Sequence, residues 1–157
     1  MNIYLLLKTL HIVSSVLLVG TGFGSAFYLF FINRIGSLSA QAAVCRLVVR
    51  ADFWFTTPAV VVQPLSGIAM AHLAGWPLST PWLLTSMLLY ALAGLCWLPV
   101  VWLQLRMAQL AKAALEAGAP QAPPLYGRYA RIWEWLGYPA FAAMLLVFWL
   151  MVSKPSF

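Results

Sequence analysis

Charge is what this sequence has least of. Only 8% of its residues are charged, and only three are acidic. A soluble domain carries about 25% charged residues. A chain of 157 residues has room for about one domain. With so few polar groups it cannot cover its own surface against water, so lipid must solvate much of it. The scarcity of acids also leaves no carboxylate pair for acid–base catalysis, and no nucleophile–base pair is visible either. Two cysteines are too few for a disulfide framework or a CxxC metal site. Cys45 falls near one membrane face and Cys96 inside a span, so both read as inert thiols. Two histidines do not make a full zinc site, which needs three or four ligands. A basic segment before the first apolar run is missing as well. That run is too long for a signal peptide and is expected to stay in the mature protein.

What the chain has in abundance is apolar sequence. Apolar residues make up 64% of it and the mean hydropathy is +0.90. Four runs approach the roughly 20 residues that a bilayer core requires: residues 8–33, 52–75, 82–104 and 132–152. They lack the alternation of barrel strands, and a helix satisfies its own backbone in lipid. The expected fold is therefore all-α, a four-helix transmembrane bundle forming a single integral membrane domain. Residues 3–7 extend the first helix. Residues 36–50 read as a longer connection, and Gly75 to Pro81 as a short uncharged turn. The third helix is expected to run on through Arg106 and Lys112 and to stop at Gly118, before a proline-rich break.

The net charge of +6 has a topological reading. Arg34, Arg46 and Arg50 flank the first connection, and Arg106, Lys112, Arg128 and Arg131 the third. That is seven of the nine basic residues; only Lys8 and Lys154 fall on the other side. The positive-inside rule puts the first and third connections in the cytoplasm, with the N- and C-termini on the non-cytoplasmic side. Attraction to anionic lipid accounts for the rest of the charge. Nothing resembles a nucleic-acid module. Trp76, Trp82 and Trp149 at one interface and Trp54, Trp133 and Trp135 at the other form an aromatic belt.

Titratable groups at membrane depth are candidate functional sites, because burying them is costly. The topology sets His11, one turn below Lys8, level with His72, one turn before Gly75. Imidazoles are common metal and haem-iron ligands. Two of them on different helices could hold a b-type haem, with Lys8 near its carboxylates. The bland alternative is that each histidine snorkels or bonds a neighbouring helix. Gly20 to Gly24 superficially look like a nucleotide loop, but no strand precedes them. Gly20 and Gly24 suit close helix packing, or alternatively room for a flat macrocycle. Gln63-Pro64 in the second span, with Thr56, Thr57 and Pro58, is expected to kink the helix. Asp52 and Glu134, at the inner ends of their spans, are expected to pair with arginine across helices. Tyr90 and Trp97 could flank a cofactor or simply pack.

Several segments carry a family resemblance. Leu6-Leu7-Lys8-Thr9-Leu10-His11-Ile12, Phe55-Thr56-Thr57-Pro58, Gln63-Pro64-Leu65-Ser66-Gly67, Ala71-His72-Leu73-Ala74-Gly75-Trp76-Pro77-Leu78 and Trp97 to Gln104 resemble the bacterial domain of unknown function 2269 family, described as predicted integral membrane proteins. The resemblance covers essentially the whole chain and implies a multi-pass protein of the bacterial cytoplasmic (inner) membrane. More distantly, the Lys8-x-x-His11 opening is similar to that of HemJ-type protoporphyrinogen oxidases and of the CopD copper-resistance membrane domain. That similarity implies His11 as an axial haem b ligand with Lys8 beside it. His72 as second ligand comes from the topology alone.

Two functional expectations follow. One is a b-type haem protein in electron transfer, with a redox partner protein or as a homo-oligomer. The other is a non-catalytic membrane subunit or small-solute permease-like bundle without cofactor. Copper handling through the histidines and some of the six methionines is a weaker third.

Overall fold

The computed structural model describes residues 2–155. Helix α1, Ile3–Ile35, starts at Asn2, whose side chain accepts the Tyr4 N–H at 3.0 Å. It ends at Gly36, where a Cβ would lie 2.6 Å from the Ile32 carbonyl oxygen. Only glycine lets the chain reverse that tightly. Ser37 then caps α2, Leu38–Ala51. So the stretch read from sequence as a long connection is helix after its first two residues. It runs on through a π-helical turn, Asp52–Thr56, into α3, Thr57–Leu73.

The π turn has a local cause. Pro58 has no N–H to give the carbonyl four residues earlier, and its ring would press on that carbonyl. Widening the turn relieves the clash. The Thr57 N–H instead reaches the Asp52 carbonyl, which its hydroxyl also meets at 2.9 Å.

Helix α4 is Pro81–Glu116 and α5 is Pro124–Ser153. The turns before and after α4 each use a left-handed glycine. Gly75 (φ 72°) and Gly118 (φ 67°) let the next N–H return to the Ala71 and Ala114 carbonyls, at 2.9 and 3.0 Å. Among the described residues there is no strand, and four continuous helices are long and apolar enough to cross a membrane. At 36 residues, α4 is about 54 Å long, well over the roughly 30 Å of a hydrocarbon core. Its far end, with α2 and the start of α5, forms a compact cap. Leu29, Cys45, Met107, Ala111, Tyr126 and Trp133 are buried there. The Tyr126 hydroxyl donates to Asn33 Oδ1 at 2.6 Å and lies 3.3 Å from Cys45 Sγ.

Within the membrane the helices pair as α1 with α3 and α4 with α5. Large apolar side chains such as Val16, Leu95 and Leu145 point outward and are more than half exposed. The exterior is thus as apolar as the interior, which lipid accommodates. The two pairs meet each other sparingly. Phe23 and Phe141 touch edge-on, with centroids 5.3 Å apart, and Arg34 reaches Glu134 at 2.9 Å. That ion pair is partly exposed. Glu134→Gln should therefore cost at most about 1 kcal/mol, read as a small drop in thermal unfolding temperature in detergent.

Candidate functional site

Two polar features lie inside the bundle. The first is built on His11. Gly67 on α3 faces its ring: a Cβ there would lie 3.1 Å from His11 Cε1. The missing side chain lets α1 and α3 close on the imidazole. One turn of α3 then supplies partners for both ring nitrogens. Ser66 Oγ is 2.9 Å from Nδ1, and Gln63 Nε2 is 3.0 Å from Nε2. The Ser66 hydroxyl also donates to the Val62 carbonyl at 2.6 Å. Its single proton is used there, so it accepts from His11 Nδ1–H. Nε2 then carries the lone pair and accepts the Gln63 amide N–H. The remaining Gln63 oxygen accepts from the Ser14 hydroxyl. The imidazole donates once and accepts once, as the neutral ring does, while the Ser14 and Ser66 hydroxyls each also approach a second carbonyl, of His11 and Gln63, at 3.0 and 3.1 Å.

His72 does not join it. It is exposed, and it follows Gln63 by nine residues, which at 3.6 residues per turn is the opposite face of α3. The structure brings His11 to Ser14, Gln63 and Ser66, not to His72. A haem held between two facing imidazoles does not fit this arrangement. Lys8 is exposed one turn before His11.

The second feature is a cavity of about 200 Å³ between the helix pairs. Gly22 on α1, Gly94 on α4 and Gly137 on α5 line it, and a Cβ on any of them would meet nothing within 4 Å. These glycines open space. Gly20 and Gly24 likewise have nothing within 4 Å, so the close helix approach expected of them is absent within this chain. Gly94→Ala should raise stability by up to about 1 kcal/mol, the helix-propensity difference, measurable as a higher unfolding temperature.

The cavity wall is mostly apolar, with a polar end. Asp52 and Thr56, 5% and 3% exposed, line it together, and the Thr56 hydroxyl donates to Asp52 Oδ1 at 2.9 Å. Asp52 was expected to pair with arginine. Among the described residues no cation pairs with it; the π turn points it inward instead. Glu134 does pair across helices, with Arg34. Two lining residues, Trp97 and Gln104, each hold a buried atom, Nε1 and Oε1, with no hydrogen-bond partner among the described residues.

Tyr90 also lines the cavity, and its hydroxyl donates to the Val60 carbonyl at 2.8 Å. Val60 is four residues before Pro64, so this is the carbonyl that Pro64 leaves free. The carbonyl freed by Pro64 is thus tied to α4. Trp97 and Gln104 gave a faint signal in the sequence: they stand seven residues apart, on the same helix face as Gly94 and Tyr90.

Among the described residues, no three His, Cys, Asp or Glu side chains cluster as a metal site. Neither the curated proteins nor the solved structures contain a match to the chain. The family profile described as predicted integral membrane protein (DUF2269) matches residues 5–155. With four membrane-length helices and a match across nearly its whole length, the chain belongs to the DUF2269 family of predicted integral membrane proteins.

Proposed function

We propose that the protein is a non-catalytic, permease-like bundle that takes a small lipid-soluble molecule into its central cavity. The observation that carries this reading is the trio Gly22, Gly94 and Gly137, which leave open space between sparsely touching helix pairs. A packed bundle would fill such positions. Tyr138 on α5 is among the lining residues and is half exposed, which favours lateral entry there, from lipid. The positive-inside rule sets the arginine-rich end in the cytoplasm of a bacterial cell, with both termini outside.

The test uses bromobenzene, which quenches nearby tryptophan. Trp97 and Trp133 line the cavity. In lipid nanodiscs, quenching should saturate for the native chain. It should rise only linearly, by partition into lipid, for Gly94→Phe. Linear quenching in the native chain, or saturation that survives Gly94→Phe, removes this reading.

A second reading, haem b bound through His11 alone, has one observation in its favour. The Nδ1–H···Ser66 bond fixes the tautomer that leaves the Nε2 lone pair for iron, as hydrogen bonds to the other ring nitrogen do for metal-bound histidines. Gln63 would have to turn aside, and Lys8 would lie one turn away for the carboxylates. When bound, haem supplies one-electron chemistry, and a redox partner protein or a second copy of the chain would share it. A reduced-minus-oxidised absorption spectrum that disappears in His11→Ala supports it. A colourless preparation from haem-replete cells removes it.

A further inference from the structure

We infer that an arginine-lined pocket at the α1–α2 turn binds the phosphate headgroup of an anionic phospholipid. The site is separate from the central cavity and does not depend on the reading proposed for it.

The pocket lies between the end of α1, the turn into α2, the proline-rich loop and the first turns of α5. Its volume is about 690 Å³, within the roughly 300–1,000 Å³ of ligand pockets. Arg34 and Arg131 both line it, and both are exposed. Glu134 brings them together. Arg34 reaches Glu134 at 2.9 Å. Arg131 precedes Glu134 by three residues of α5, which makes the two neighbours on one helix face.

The walls suit an anion. Glu134 is the only acid among the described lining residues, and both its oxygens are engaged. Oε1 accepts from Arg34 at 2.9 Å and from the Tyr138 hydroxyl at 2.7 Å, and Oε2 accepts from Arg34 at 3.0 Å. Arg34 is held in place by those bonds, by a further one to the Phe30 carbonyl at 3.1 Å, and by the Phe30 ring, whose centroid is 3.4 Å from Cζ. At least two of its five N–H groups remain to donate. Asn33, also on the wall, takes the Tyr126 hydroxyl on Oδ1, which leaves its amide nitrogen as a donor. Arg131 pairs with no acid among the described residues. Two guanidinium groups against one carboxylate leave a positive charge in excess, and the planar arginine fork matches phosphate oxygens.

The surroundings favour a lipid as the source of that phosphate. Each charged wall residue is followed in sequence by an apolar side chain that faces outward: Ile35 is 80% exposed, Ile132 50% and Trp135 74%. Charged and lipid-facing side chains meet in this way at headgroup depth, where tryptophan also collects. Basic pockets between transmembrane helices hold anionic headgroups at that depth. A free phosphate ion would use the same donors but gain nothing from the apolar rim, against which acyl chains can lie.

Calorimetric titration of the full chain in maltoside micelles, at about 0.15 M salt, tests this with three probes: dioctanoyl-phosphatidylglycerol, dioctanoyl-phosphatidylcholine and inorganic phosphate. Phosphatidylglycerol should bind at a single site per chain, at least about tenfold tighter than either of the others, the worth of one hydrogen bond between charged groups. Arg131→Gln removes a positive charge from the wall, and Gln121→Glu adds a negative one. Both side chains are exposed, so the fold is kept, and each change should cut the margin to under about threefold. Arg106→Gln loses the same charge outside the pocket and should leave the margin intact. Equal binding of the two lipids overturns the proposal. So does a margin that survives both pocket variants, or one that Arg106→Gln lowers as much as Arg131→Gln does. Inorganic phosphate binding as tightly as phosphatidylglycerol overturns the assignment to lipid.

Discussion

Tyr90→Phe should destabilise the protein by about 1–2 kcal/mol, the upper part of the range for interhelical hydrogen bonds in membranes. The loss exceeds the average because of what the tyrosine hydroxyl serves. In an uninterrupted helix the Val60 carbonyl would accept from residue 64. Proline there has no N–H, and the carbonyl turns to α4 instead, at 2.8 Å from Tyr90. Removing the hydroxyl leaves a carbonyl in an apolar setting with no substitute inside its own helix. The dependence on Pro64 makes the prediction specific. In a Pro64→Ala background the helix supplies the missing donor, and Tyr90→Phe should then cost under about 0.5 kcal/mol. Reversible unfolding in mixed micelles, run as a double-mutant cycle, measures the difference. Equal costs in both backgrounds would mean that the tyrosine does not serve the proline-freed carbonyl.

His11→Leu should be comparably damaging, at about 2 kcal/mol. Substitution removes the acceptor of the Gln63 amide and the donor to Ser66 together. Ser66 keeps its bond to Val62 and loses little. Gln63 keeps Ser14 but holds a half-buried amide N–H that has lost its acceptor. The cost should therefore fall mostly on Gln63, and His11→Leu with Gln63→Leu should be little worse than His11→Leu alone. Replacing both partners by apolar groups removes the unsatisfied amide along with the bond. Gly67 supplies an independent check. Gly67→Ala would set a methyl 3.1 Å from His11 Cε1 and should weaken the same network.

These two networks show what the sequence could and could not reveal. Hydropathy and the placement of arginines were enough for four helices and for the shared end of Arg34, Arg106 and Arg131, because lipid imposes those patterns on each helix separately. Gly118 as the end of α4 was equally local. Helix partners were not legible, since lipid-facing and partner-facing surfaces here are both apolar. His72 illustrates the limit. Its depth followed from counting residues, but its direction depends on how α3 is rotated, and Gln63, Ser66 and Gly67 fix that rotation by packing on His11. Asp52 illustrates it differently. As an acid at the inner end of its span it reads as half of an ion pair across helices. A π turn imposed by Pro58 rotates it into the cavity. Glu134, with no such irregularity beside it, pairs with Arg34 across helices as its position suggests. The glycines misled for the same reason as the histidines: spacing alone does not separate a glycine that admits a helix from one that leaves a hole.

On the function proposed above, the space between the α1/α3 and α4/α5 pairs admits a ring compound. Crystals of the protein grown in a lipid phase and soaked in bromobenzene test it most directly, through the anomalous signal of bromine. A bromine peak should appear inside the bundle, among Gly22, Gly94 and Gly137. Peaks confined to the outer, lipid-facing surfaces of the helices, with that interior space closed by side chains, would contradict it.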